Sequence, residues 1–357
     1  AGARTPRFCA AKHSTRRFCC RGKTEGSFLQ DKLTPRQVRA WSLCALSVPA
    51  AMALPGCGWL WVLGGSILAC ALAACQQAMQ RQSGLCMRQA FARAFGAVGG
   101  RIMAAAELLW LLFAASGAAA ASQIAFEDDL GPFLPAIPLL LAALAGQRGR
   151  LAAGRVCAVL ALCLAGLYAV IAAASLRHVQ VDWSRPQGVP ADAALAFCLC
   201  LGPVCMAFVT AEEETPRISP GTAAASALLP AAPAFLTAAR LSPGPARQEL
   251  LPFLTLTKSL SVLSVMQRFE LLLSVAQLLG LFTLLVMLVC AADSMTDMMK
   301  RKKDAERASG AFCLLAFGGS FFAYRLPIWL WAVGAAIFWG IVPVLTQVIV
   351  NIKKTEK

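Results

Sequence analysis

Apolar runs about as long as a bilayer is thick recur along this chain, and basic residues fill the gaps between them. The hydrocarbon core of a membrane is about 30 Å thick, and an α-helix crosses it in about 20 residues. No water reaches backbone N–H and C=O groups there, so a spanning segment must be a helix or a strand of a closed barrel. Barrel strands are about 10 residues long and alternate polar with apolar. The runs here are longer and do not alternate, so they predict helices. Composition agrees: 58% of the residues are apolar and 14% are charged, whereas a soluble domain carries about 25% charged residues. The expected fold class is an all-α polytopic membrane protein.

Ten spans are predicted, at 36–55, 58–79, 100–122, 132–146, 152–174, 190–211, 221–240, 267–292, 308–325 and 327–351. The fourth is short and starts with Pro132, Pro135 and Pro138, and the ninth holds Gly318 and Gly319. Lys and Arg favour the cytoplasmic side. With the N-terminus inside, four further basic groups fall on that side: Arg81, Arg88, Arg93 and Arg101; Arg148, Arg150 and Arg155; Lys300, Arg301, Lys302 and Lys303; and Lys353, Lys354 and Lys357. The third loop, with Glu127, Asp128 and Asp129, falls outside. Arg177, Arg185, Arg240 and Arg247 are outer-loop exceptions, and the loop with Glu212, Glu213, Glu214 and Arg217 is neutral. Both termini are expected to be cytoplasmic. Residues 1–31 read as a basic, disordered tail, and residues 32–357 as a transmembrane domain.

Several function classes are excluded. The net charge of +15 lies in the gaps between apolar runs, where it meets anionic headgroups rather than nucleic acid. Most of the fifteen cysteines fall within apolar runs, where Cys acts as a small hydrophobe. Cys9, His13, Cys19 and Cys20 are too irregularly spaced for a structural zinc site. His13 and His178 are the two histidines, and neither belongs to a cluster of nucleophile, base and acid. The chain is not expected to be an enzyme, and no cofactor or metal is called for.

Intramembrane charge and helix breakers remain. Glu107 lies in the third span, about two turns from its cytoplasmic end, with Trp110 three residues on along the same face. Arg268 and Glu270 open the eighth span and project about 200° apart, so each needs a partner elsewhere. These four residues are candidates for gating or coupling. Pro49 interrupts the first span, within Ser47, Val48, Ala50 and Ala51. Pro203 interrupts the sixth, after Cys200, Leu201 and Gly202. The first and sixth spans open the two halves of a five-plus-five arrangement, and matched breaks in inverted repeats point to a binding site at the midplane. These nine residues are the candidate ligand site.

Ten helices with breaks in the first and sixth resemble the amino acid–polyamine–organocation transporter superfamily. Within it the chain is most similar to the spore germination permease family, the B subunit of germinant receptors. The resemblance rests on Lys32-Leu33-Thr34-Pro35-Arg36-Gln37 before the first span and Leu54-Pro55-Gly56 at its end. It rests also on Gly96, Gly99 and Gly100 before the third span, Glu213 followed by Pro216, and Arg268-Phe269-Glu270. Pro49 stands where the family tends to have glycine. The resemblance covers residues 31–357 and implies a germinant-receptor subunit in the spore inner membrane. Such a subunit binds a small nutrient, an amino acid, and acts with a larger membrane subunit and a lipoprotein. The rival class is an ion-coupled amino-acid permease in the cell membrane.

The loop pattern makes a direct prediction. In single-cysteine variants, membrane-impermeant thiol reagents should reach 127–129 from outside and 300–303 only from the cytoplasm. Labelling of both from one side would refute the ten-span topology.

Overall fold

In the computed structural model the described residues are 33–125, 133–176, 188–209, 219–241, 243–249, 251–259, 269–296, 305–323 and 325–355. The 1–31 tail, the acidic 127–129 loop, Glu212 to Glu214, Arg268, the Glu270 side chain and the 300–303 cluster lie outside them.

Local chemistry sets where the first helices begin and end. Helix α1 (Pro35–Met52) opens with a reciprocal cap. Gln37 N–H donates to Thr34 Oγ1 (3.3 Å), and Thr34 N–H donates to Gln37 Oε1 (2.9 Å). Pro35 sits at the first turn, where its missing N–H costs nothing. The Thr-Pro-Arg-Gln opener singled out in the sequence is therefore a capping box. Helix α2 (Trp59–Ser83) ends on Gly84, whose φ of 67° suits glycine. Helix α3 (Met87–Ala125) is two helical pieces joined at Gly96, where φ is 77° and ψ −178°.

The remaining elements are α4 (Ala136–Gln147), α5 (Arg150–Leu176), α6 (Pro190–Val209), α7 (Pro220–Leu241), the short α8 (Pro243–Gln248) and α9 (Pro252–Lys258), α10 (Phe269–Thr296), α11 (Ala305–Ala323), α12 (Ile328–Ala335) and α13 (Val342–Thr355). A π-helical turn at Ala336–Ile341 joins α12 to α13 in one long helix. All described elements are helical. Each predicted span corresponds to one helix, α12 and α13 together forming the tenth. Six helices are long and apolar enough to cross a bilayer: α2, α3, α5, α7, α10 and the α12–α13 helix. Helix α4 has 12 residues, a rise of about 18 Å, short of a full crossing.

The backbone corrects one detail of the sequence reading. Helices α1 and α6 stay helical through Pro49 and Pro203. Each proline removes one i→i−4 hydrogen bond, and neither opens an unwound stretch. Helix α1 stops three residues after Pro49, whose carbonyl accepts from both Ala53 N–H and Leu54 N–H (3.1 Å each). The departures from α geometry lie instead at Gly96 and in the 336–341 turn.

Helix α10 is the central post. Buried residues make up 61% of its apolar stretch, against 17% for the peripheral α5. It packs on α1, α3, α4 and α5, while α2 packs on α6 and α7. Bare backbone allows these approaches. A Cβ on Gly280 of α10 would overlap Ser47 of α1, and one on Gly65 of α2 would overlap the α6 backbone at Ala193. Gly319 of α11 meets Ser116 of α3 in the same way. Lipid gives no hydrophobic drive to helix association, so close packing of this kind holds the bundle. Hydrogen bonds add direction: Trp41 Nε1 donates to Thr283 O (3.0 Å), and Ser42 Oγ donates to Pro203 O (3.0 Å), joining α1 to α10 and to α6.

At the face away from the termini, one carboxylate ties three elements together. Asp192 Oδ2 accepts from Gly58 N–H (2.9 Å), Val189 N–H (3.1 Å) and Arg247 Nη2 (2.9 Å). It thereby links the α1–α2 turn, the start of α6 and α8. Hydrogen bonds to a charged acceptor contribute about 1.5–3 kcal/mol each. Asp192→Ala should therefore lower the unfolding free energy by about 2 kcal/mol while leaving helix content unchanged. A thermal or denaturant melt in detergent, followed by circular dichroism, measures it.

Candidate functional site

Three tryptophan rings organise the middle of the bundle. Each lies where the facing helix has glycine. A Cβ on Gly334 would enter the Trp110 ring, one on Gly117 the Trp331 ring, and one on Gly202 the Trp339 ring. The rings run as a continuous stack between α3 and the tenth helix. Trp331 stacks on Phe113 at 3.9 Å between centroids, and Phe113 lies 5.6 Å from Trp110. Trp110 stacks on Phe338 at 5.5 Å and meets Trp339 edge-on at 5.4 Å.

Two cavities border this stack. The larger, about 280 Å³, lies on the side away from the termini. Its walls come from α1 (Val48, Pro49, Met52), α3 (Trp110, Ala114, Gly117), α6 (Leu199, Pro203), α10 (Leu284, Leu288) and the tenth helix (Trp331, Ala335, Trp339). That volume is close to the lower end of the ~300–1,000 Å³ typical of ligand pockets. The lining is almost wholly apolar. One polar group among its walls is the Leu199 carbonyl, which Pro203 leaves without its helical donor. The smaller cavity, about 30 Å³, lies on the other side of Trp339 and is bordered by Glu107 and glutamines of α2 and α13.

The nine residues read as a ligand site divide between this cavity and helix contacts. Val48, Pro49 and Pro203 line it. Ser47 faces Gly280, its Oγ donates to Cys44 O (2.6 Å), and its carbonyl accepts from Tyr168 Oη (3.3 Å). Ala50 is fully buried, and Ala51 packs with Ile171, Leu236 and Phe253. Cys200 meets Ser66 of α2 at 3.5 Å. Leu201 is fully buried, and Gly202 seats Trp339. Consecutive residues of a continuous helix point about 100° apart, so a run of four or five cannot all face one cavity. Of the gating candidates, Trp110 lines the larger cavity and Glu107 the smaller.

Sequence reasoning passed over Trp331 and Trp339, and Gln76, Gln77, Gln80 and Gln347. A signal was present. Gln76, Gln77 and Gln80 stand at the end of an otherwise apolar run, and Trp339 lies inside a span rather than at its edge, where Trp is more usual.

The fold has a counterpart of known structure. Mhp1, a nucleobase-cation-symport-1 family transporter solved in a closed conformation with bromovinylhydantoin bound, superposes with a TM-score of 0.63. The match covers 90% of this chain and 78% of that one, at 14% identity. The fold is that of a membrane transporter. No protein-family model matches the chain, and no curated protein sequence matches it.

The glycine seats make the site testable. Gly202→Ala puts a methyl group into the Trp339 ring position. Overpacking of this kind costs about 1–3 kcal/mol, and here it drives the indole into the cavity. The variant should accumulate in the membrane with its tryptophan emission shifted relative to the wild type. Unchanged emission would mean that Trp339 does not rest on Gly202.

Proposed function

We propose that the chain is a permease-type membrane protein that takes a small molecule into the cavity between α1, α3, α6, α10 and the tenth helix. The observation that carries this reading is the cavity itself, which lies where α1 at Pro49 and α6 at Pro203 meet the tryptophan stack. Midplane sites between repeats are where transporters of this build hold substrate. The wall chemistry favours an amino acid with an apolar side chain. Its side chain would lie against the aromatic rings of the wall. The amine would be left to backbone carbonyls such as that of Leu199. Electrophilic or nucleophilic chemistry has no place in such a wall, so the role is binding and movement rather than catalysis.

Within this class the finer reading is the germinant-receptor subunit. What supports it is the order of short motifs, and two of them now have physical roles: Thr34 to Gln37 form the cap of α1, and Gly96 is the left-handed break in α3. An ion-coupled amino-acid permease is the other reading, and the Mhp1 likeness favours it. Charge favours a cytoplasmic position for the face bearing both termini. Arg36, Arg39, Arg81, Arg88, Arg148, Arg150, Arg155, Lys353 and Lys354 all lie at helix ends on that face.

Proteoliposomes holding the full chain decide among these. Labelled leucine, phenylalanine and alanine should bind saturably, and Trp339→Leu should weaken binding about tenfold or more, as expected for loss of a stacked ring. Uptake by the chain alone identifies a permease. Binding without uptake identifies a sensor that needs partner subunits. Absence of saturable binding for all three would reject the amino-acid reading.

A further inference from the structure

The smaller cavity is not needed to bind a ligand, and its chemistry differs from that of the larger one. It lies between Trp339 and the face bearing the termini. Glu107 enters it from α3, 6% exposed, and its Oε2 has no hydrogen-bond partner. Gln347 enters from α13, 1% exposed, with both amide atoms unpaired. Gln76 is held elsewhere: its Nε2 donates to the carbonyls of Trp339 (2.8 Å) and Gly340 (3.2 Å), and its Oε1 accepts from Cys205 (3.1 Å). The void of about 30 Å³ has room for about one water molecule.

An isolated carboxylate in a membrane interior is costly unless something neutralises it. Among the described residues no Lys or Arg lines this pocket. The groups facing Glu107 from α2, α6, α10, α13 and the first piece of α3 are glutamines, apolar side chains and one other titratable group, Cys205, whose S–H is already donated to Gln76. A metal cation is a poor fit. Hard cations take about six oxygens or more, and the unpaired buried oxygens here are Glu107 Oε2 and Gln347 Oε1.

We propose that this pocket is a proton-binding site, with Glu107 as the group that takes up and releases the proton. The bond formed is O–H on Oε2, and the proton comes from water on the face bearing the termini, toward which the half-buried Gln76 and Gln80 lead. Protonated, the carboxyl is neutral and can donate to a neighbouring amide oxygen. Deprotonated, it accepts from an amide N–H, and Gln347 offers both. Glu107 sits one turn from Trp110 on the same face of α3. Trp110 in turn lies against Trp339, the ring that separates the two cavities. The charge state of the pocket is thereby felt at the wall of the ligand cavity. This extends the permease reading to proton coupling, but the site can be tested without any ligand.

The test uses the full chain in lipid nanodiscs, free of added ligand, with tryptophan emission followed from mildly acid to mildly alkaline pH. The wild type should show one transition, and Glu107→Gln should lose it. Gln347→Leu removes the amide that serves both states of the carboxyl, so its transition should shift by about half a pH unit or more. Dicyclohexylcarbodiimide, which attacks protonated carboxyls in apolar surroundings, should modify Glu107 of the wild type below the transition and not above it. That readout stands even where Glu107→Gln fails to fold. Replacing sodium by choline should leave the midpoint in place. A midpoint that follows sodium would make this a cation site and overturn the proposal. So would a transition that survives in Glu107→Gln, or Glu107 that stays unmodified at every pH.

Discussion

An indole ring can lie flat on a helix only where that helix presents no side chain. Trp110, Trp331 and Trp339 each meet this condition, on Gly334, Gly117 and Gly202. In lipid, where apolar burial gives helices no reason to prefer each other over acyl chains, such van der Waals fits carry much of the association energy. The three fits also determine the shape of the interior. They bring α3, α6 and the tenth helix to fixed separations and hold the rings in one stack. That stack divides the interior into an apolar cavity on one side and a polar pocket on the other. Move any of the three glycines and the ring seated on it loses its place in the partition.

Much of the architecture was legible in the sequence because the bilayer imposes a length on every crossing segment. Runs of about 20 apolar residues located the long helices, and the basic gaps between them located the ends. Short motifs were legible where they serve the backbone, as with the cap at Thr34 and Gln37 or the left-handed Gly96. The short α8 and α9 were not anticipated, since neither is long enough for periodicity to show.

The site was legible only in part. Proline marks a missing hydrogen bond, and that much of the reading at Pro49 and Pro203 needs no structure. Whether a helix then unwinds depends on its neighbours. Here both helices continue through their prolines. The tryptophan seats could not be found from sequence, because each pairs a ring on one helix with a glycine far away in the chain. Gln347 was hidden for a different reason. A polar residue near the end of an apolar run reads as the membrane boundary, and only the fold shows that its amide is enclosed.

The π-helical turn at Ala336–Ile341 has a consequence for how this segment tolerates change. Such a turn holds one residue more than α geometry requires, which resets the phase of everything after it. Residues 342–355 therefore present a face rotated by about 100° from the one a regular helix would show, and Pro343 and Gln347 meet the polar pocket in that phase. Gln76 secures the phase by binding the Trp339 and Gly340 carbonyls inside the turn. Deletion of a single codon here would remove the extra residue and let the segment relax to a plain helix with its last turns still facing the pocket, whereas the same deletion after residue 341 would turn the residues beyond it by about 100°.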